Sequence, residues 1–253
     1  MLSRRWGLDH RGVTARLALL ACTLPLLLVA CSSDDEDIAR REDLRSLFQL
    51  HPISAVPYPV DNPAMAERVD LGRLLFFDPV LSGENDVSCG TCHHPAFAWG
   101  DGRKRAIGVS GEVPGLGPAG VGPERVLTDP INHLETPRNS PSCLNTGCLG
   151  QEDGEPHWLG RQFWDGRADG LEAQARLPIA SFDEMRGFAY VGDDAMDSVL
   201  EELRGIDEYV RLFRDAFPAE AAEMDAHPER HVVREDTYAR ALGAYQRELL
   251  TLD

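Results

Sequence analysis

Apolar positions fall into helical register twice in the second half of this chain. Leu203, Ile206, Val210 and Phe213 are spaced three, four and three apart, and Tyr238, Ala241, Leu242, Tyr245 and Leu249 form another stripe near the end. Side chains three and four apart share one face of a helix, so each stripe predicts an amphipathic helix with its apolar side inward. A further helix is predicted to open at Asn62-Pro63, with asparagine as cap and proline in the first turn, and to run to about Phe77, because Pro79 lies just beyond. Prolines at 52, 57, 59 and 63 predict an extended lead-in along the surface. From Gly100 to Pro141 the chain is rich in Gly and Pro, with little periodic apolar content, and reads as a long loop. Strict apolar–polar alternation is sustained nowhere and no segment repeats, so the expected fold is mainly α.

The amino terminus carries a different pattern. Arg4, Arg5, Arg11 and Arg16 precede an apolar run from Leu17 to Ala30 that leads into Leu28-Val29-Ala30-Cys31. The run holds 14 residues and includes Pro25, short of the roughly 20 apolar residues a transmembrane helix needs. It reads as an export signal ending in a lipobox, with Cys31 as the lipidated first residue of the mature protein. The expected place of work is the periplasm, with a lipid anchor in the outer membrane, because Ser32 and not Asp follows the cysteine.

Cysteine usage then changes the picture most. Cys89-Gly90-Thr91-Cys92-His93 is a C-x-x-C-H sequence, the attachment site of a c-type haem. Two thiols about one helical turn apart reach the two vinyl groups on one porphyrin edge, and the adjacent imidazole becomes the axial ligand of the iron. A zinc site that also uses His94, or a redox pair, competes with this reading. Zinc would want a second ligand pair, and Cys143 and Cys148 have four residues between them and no partnered histidines. In an oxidising compartment Cys143 and Cys148 are expected to close a small disulfide loop.

The formal charge is −17, and residues 1–30 hold four arginines and one acid, Asp9, so their removal takes it to −20. Such a chain repels nucleic acid and suits docking of small basic electron carriers. The expected division is a signal over 1–30, an acidic tether and lead-in over 31–62, and one haem domain over 63–253.

Three blocks, "LGRLLFFDPVLSGENDVSCGTCHHPAFAWGDG", "TPRNSPSCLN" and "FWDGRADGLEAQARLPIASFDEM", resemble the amino-terminal haem domain of the bacterial di-haem cytochrome c peroxidases. That family includes the related di-haem oxidases of methylamine utilisation. The resemblance runs from about Leu71 to the end and implies a c-type cytochrome domain with long loops wrapping the haem. It implies that Trp164 carries electrons between two haems, that Gln174 and Glu184 form the peroxide pocket, and that Asn139 helps bind a calcium ion. One carboxylate above the iron can take a proton from peroxide and return it to the leaving oxygen, and a glutamine can orient either partner.

The implied activity is reduction of hydrogen peroxide with electrons from a small cytochrome c or copper protein. Two departures qualify it. The chain has one C-x-x-C-H where the family has two, so a truncated form is expected, ahead of a split form with a separate second-haem half or a functional single-haem protein. The loop near Val109 lacks the histidine that closes the resting haem in many members. His133 is the next histidine after His94 and is expected to be exposed in its Pro-rich loop, which leaves the distal face open. A monohaem electron carrier, with Met185 as a second axial ligand, is the alternative from another class. An oxidase acting on a protein substrate is a third.

Overall fold

A computed structural model of the chain describes residues 56–152 and 155–251, together with Arg40. Contacts divide the chain into two compact units, Met1–Pro52 and Ile53–Asp253. The export signal, Cys31 and the acidic tether lie outside the described residues.

Helix α1 (Ala66–Phe77) packs against α8 (Glu235–Arg247), and this pair is the spine of the unit. Leu71, Leu75 and Phe76 of α1 meet Ala241, Leu242 and Tyr245 of α8, all nearly or wholly buried. Burying such side chains contributes about 1.5–3 kcal/mol each. The close approach is possible because residue 72 is glycine: a Cβ there would run into the Ala241 carbonyl and the Tyr245 side chain.

Asn62 does not cap α1. The cap position is Met65, with no side-chain bond. Asn62 is instead wholly buried, donating from Nδ2 to Glu172 Oε1 (2.8 Å) and to the Arg240 carbonyl (2.9 Å) while Oδ1 accepts from Arg68 (3.1 Å). The described part of the lead-in is likewise stitched to α8. Arg247 Nε donates to the Pro57 carbonyl (3.3 Å) and the Tyr58 hydroxyl donates to Glu248 (2.6 Å).

The stripe from Leu203 to Phe213 spans two helices, α5 (Ala195–Arg204) and α6 (Asp207–Ala216). Gly205 ends the first, its N–H turned back to the Glu201 and Glu202 carbonyls, and Ile206 sits between them, 37% exposed. The apolar register survives the break because both helices pack on one core. Helix α7 (Pro218–Ala226) follows directly.

Strands are few and short. Three antiparallel pairs are described: β1 (Gly111–Glu112) with β2 (Val126–Leu127), β3 (Gly150–Glu152) with β4 (Glu155–His157), and β5 (Arg161–Gln162) with β6 (Ala168–Asp169). The loop from Gly100 to Pro141 is built around Arg125, only 2% exposed, whose guanidinium donates to the carbonyls of Ile107 (3.0 Å), Gly108 (2.9 Å), Pro118 (2.7 Å) and Gly120 (2.7 Å). An arginine with every bond spent on carbonyls replaces the apolar core that this segment lacks. Only the ends of the loop, at Ala106 and from Thr136 onward, reach the cavity described next.

Candidate haem site

Cys89–Cys92 forms a single helical turn, α2, that ends at His93. Both residues between the cysteines are fixed by their surroundings. Gly90 lies flush against the Phe77 ring, where a Cβ would clash, and the buried Thr91 accepts the Ser88 N–H on its hydroxyl (2.9 Å). Both thiols face a cavity of about 280 Å³ together with His93. Burial, ahead of any neighbouring charge, pushes each cysteine up to about 12.

The chain then folds sharply back. Ala98 and Trp99 are consecutive non-glycine residues with positive φ, 53° and 61°, a conformation that costs an L-residue roughly 1–2 kcal/mol. It is held by His94 N–H donating to the Gly100 carbonyl and Trp99 N–H donating to the His94 carbonyl, both at 3.0 Å. As a result the Trp99 carbonyl meets His93 Nδ1 at 3.1 Å, with the Pro141 carbonyl at 3.0 Å. Carbonyls only accept, so the proton is on Nδ1 and Nε2 keeps its lone pair. Burial also holds the His93 imidazole below its ordinary range, hence neutral, although the two carbonyls oppose this. A neutral imidazole with Nδ1 so occupied is the form that ligates iron. These residues fit a covalent haem.

His94 does not join them. Its ring accepts the Ala96 N–H (3.2 Å) and caps a short turn. Among the described residues no group of three His, Cys, Asp or Glu side chains could hold a metal ion. Cys143 and Cys148 are free thiols here. The expected disulfide is not formed: Cys143 is buried and lines the cavity, whereas Cys148 is half-buried and does not.

More of the cavity lining comes from later elements. Gln174 ends α3 (Leu171–Gln174), α4 (Leu177–Ala180) follows, and Phe182–Arg186 forms one π-helical turn carrying Glu184 and Met185. Gln174, Glu184 and Met185 all line the cavity that holds Cys89, Cys92 and His93. Glu184 is held above its ordinary range, first by burial and then by Asp183, with Arg167 pulling the other way. The loop at 108–109 fixes the turn, with Val109 N–H donating to the Glu184 carbonyl (3.0 Å) and Gly108 packed flush against it.

Trp164 lies in the β5–β6 connection at the cavity mouth, 58% exposed, its indole N–H donating to the Asn139 carbonyl (3.0 Å). The Asn139 carbonyl is thus engaged, and its side chain is exposed at the same mouth. Beside them Arg167 stacks its guanidinium 3.7 Å from the Phe163 centroid and lines the cavity. The sequence reading passed over Arg167, although it stands in the same Phe-Trp-Asp-Gly-Arg block. His133 contradicts the expectation of exposure: it is 3% exposed, and its ring stacks on Phe182. Two neighbouring phenylalanines make this slot apolar, and nothing in the local Gly- and Pro-rich sequence reveals a partner fifty residues away.

A mainly helical scaffold in which a C-x-x-C-H turn, a neutral imidazole and a raised carboxyl line one cavity has the make-up of a c-type cytochrome domain. A family model described as di-haem cytochrome c peroxidase matches residues 66–253. The chain is 35% identical over 237 residues to the methylamine utilization protein MauG of Methylorubrum extorquens, covering 92% of this chain and 53% of that protein. It is 32% identical over 203 residues to the cytochrome-c peroxidase IdrP1 of a Pseudomonas strain, covering 80% and 40%. Among solved structures, a MauG-like protein associated with microbial copper homeostasis superimposes with a TM-score of 0.56 at 28% identity, covering 81% of this chain and 47% of that one. The chain belongs to the di-haem cytochrome c peroxidase family. It spans about half the length, or less, of these relatives.

Proposed function

We propose that this chain is the peroxide-binding haem domain of a periplasmic peroxidase. It would be tethered to the outer membrane through a lipid on Cys31, and would take electrons from a small cytochrome c or copper protein. The observation that carries the reading is the shared cavity: Glu184 and Gln174 line the same cavity as Cys89, Cys92 and His93. Cys89 and Cys92 would hold one haem by thioether bonds, and His93 Nε2 would be its axial ligand; when bound, the haem supplies the redox centre. Glu184 would accept the proton of the peroxide oxygen nearer the iron and deliver it to the leaving oxygen, so that water departs instead of hydroxide. A carboxyl held above its ordinary range suits that exchange. Gln174 would orient the peroxide through its amide. Trp164, at the cavity mouth, would pass electrons from a second-haem half, and Asn139 would contribute to a calcium site at the same junction.

Single-turnover stopped-flow mixing with hydrogen peroxide tests the reading without an electron donor. Glu184→Gln is expected to slow the reaction by about a hundredfold to ten-thousandfold, with haem content unchanged. Equal rates in wild type and variant overturn it. One observation favours the electron-carrier alternative: Met185, 5% exposed, lines the same cavity beside Glu184. An electronic spectrum that is low-spin in the ferric state and becomes high-spin in Met185→Ala would establish that alternative, whereas the peroxidase reading expects high spin from the start. Loss of fatty-acid labelling in Cys31→Ser tests the anchor, and labelling that persists removes it.

A further inference from the structure

His133 is a buried titratable group that the mechanism above leaves unused, and its surroundings point at Glu184. Its ring lies 4.8 Å from the Phe182 ring at an interplanar angle of 7°, with Phe188 edge-on at 5.2 Å. Its Nδ1 is sealed from solvent with no hydrogen-bond partner, and the nearest acceptor is Asp183 Oδ1 at 3.6 Å. The next residue, Leu134, donates its N–H to the same Asp183 oxygen (3.1 Å). Residues 133–134 therefore grip residues 182 and 183, and residue 184 enters the haem cavity.

We propose that His133 is a positioning residue for Glu184, acting through its stack on Phe182 and through the polar ring edge it sets beside Asp183. The stack fixes the π-turn laterally. The Leu134 N–H holds the Asp183 carboxylate, with His133 Nδ1 beside it at 3.6 Å, and the charge of that carboxylate acts on Glu184 one residue away. Other charged groups bear on the same turn. Arg186 sits 5.3 Å from the Phe182 centroid on its own element, and Arg167, from the β5–β6 connection, lowers Glu184. Asp129, in the same loop as His133, accepts the His133 backbone N–H on its carbonyl (3.0 Å) and has its carboxylate lowered chiefly by Asn132 and in part by His133. Of these groups only His133 is both sealed from water and free of a hydrogen bond at a ring nitrogen facing the turn. The inference rests on the reading of Glu184 as the proton acceptor and adds a residue fifty positions away to that machinery.

The experiment uses the haem-loaded protein and cyanide as probe, because HCN must give up its proton to a distal acceptor as it binds ferric haem. Association rates are measured against pH for wild type, His133→Phe, His133→Asn and Glu184→Gln, and for Glu184→Gln combined with His133→Phe. Phenylalanine keeps the stack and removes the nitrogen; asparagine restores a polar group near Nδ1. His133→Phe is expected to slow association about tenfold to hundredfold, the cost of misplacing a reacting group by about an ångström, and to move the acid limb to higher pH. The direction follows because a phenyl ring puts apolar surface where a polar ring edge lay beside Asp183, and the charge of Asp183, which raises Glu184, is then less screened. His133→Asn should recover part of both effects, and His133→Phe should add nothing in the Glu184→Gln background. If His133→Phe keeps the wild-type limb while Glu184→Gln is slow, the inference falls and the Glu184 reading stands. If Glu184→Gln itself associates at the wild-type rate, the Glu184 reading falls first. Should His133→Phe not fold, His133→Asn with wild-type rate and limb overturns the proposal.

Discussion

His93 Nδ1 lies 3.1 Å from the carbonyl oxygen of Trp99, a residue whose backbone is left-handed at φ 61°. The two facts are one arrangement. Only a chain that reverses within six residues can bring that carbonyl back onto the imidazole, and the reversal needs Ala98 and Trp99 in a conformation that L-residues rarely adopt. The local strain is thereby spent on fixing the tautomer that leaves Nε2 free.

His93→Gly is expected to give haem protein whose iron has lost its axial nitrogen, because among the described residues no other imidazole lines the cavity. Added imidazole should restore a ferric Soret band. Mass analysis of the recovered protein checks the thioethers separately, and a wild-type ferric spectrum without added imidazole would refute the axial assignment.

Burial, reinforced by Asp183, raises Glu184, and the sign of its linkage follows. A carboxyl whose folded-state value exceeds its unfolded one binds its proton more tightly when folded, so stability falls as pH rises through that interval. Glu184→Gln is therefore expected to be neutral or stabilising in urea unfolding at pH 7 while the peroxide reaction collapses. In wild type, the acid limb of that reaction should lie above the ordinary glutamate value.

Glu172 and Arg247 form a bidentate pair, with Arg247 wholly buried and Nη2 2.8 Å from Oε2. Burial works to raise Glu172, but the hydrogen bonds and charge of Arg247, with Asn62, overcome it and hold the carboxylate below its ordinary range. The pair's contribution is thus fully present above the unfolded-state value and lost as pH falls through the depressed one. Arg247→Met should cost about 3–5 kcal/mol by leaving a buried charge alone. Denaturant midpoints between pH 7 and pH 3 should fall more steeply in wild type than in the variant.

Alkylation of the haem-loaded protein should modify Cys148 well before Cys143. Burial raises both thiols, but Cys143 is far more deeply enclosed, and Arg247 partly offsets the effect at Cys148. A product two hydrogens light that takes up no alkyl group would establish the disulfide instead.

The sequence by itself determined what local spacing can encode. Cys89, Cys92 and His93 must share one turn, Tyr238 to Tyr245 must share one face, and the block from Phe163 to Met185 carries the remaining candidate groups in fixed order. Spacing within a helical turn survives folding because backbone geometry sets it. Tertiary structure alone decided which polar residues are buried, since that depends on partners distant in the chain. Asn62 read as a helix cap, yet it bridges Glu172 and Arg240. Arg125 carried no signal, yet it ties together the loop from Ile107 to Gly120 through carbonyls that any sequence supplies. His133 looked like an exposed loop histidine until Phe182 and Phe188 closed over it. Burying a polar side chain is tolerated only where hydrogen bonds or stacking await it, and those partners are assembled by the fold.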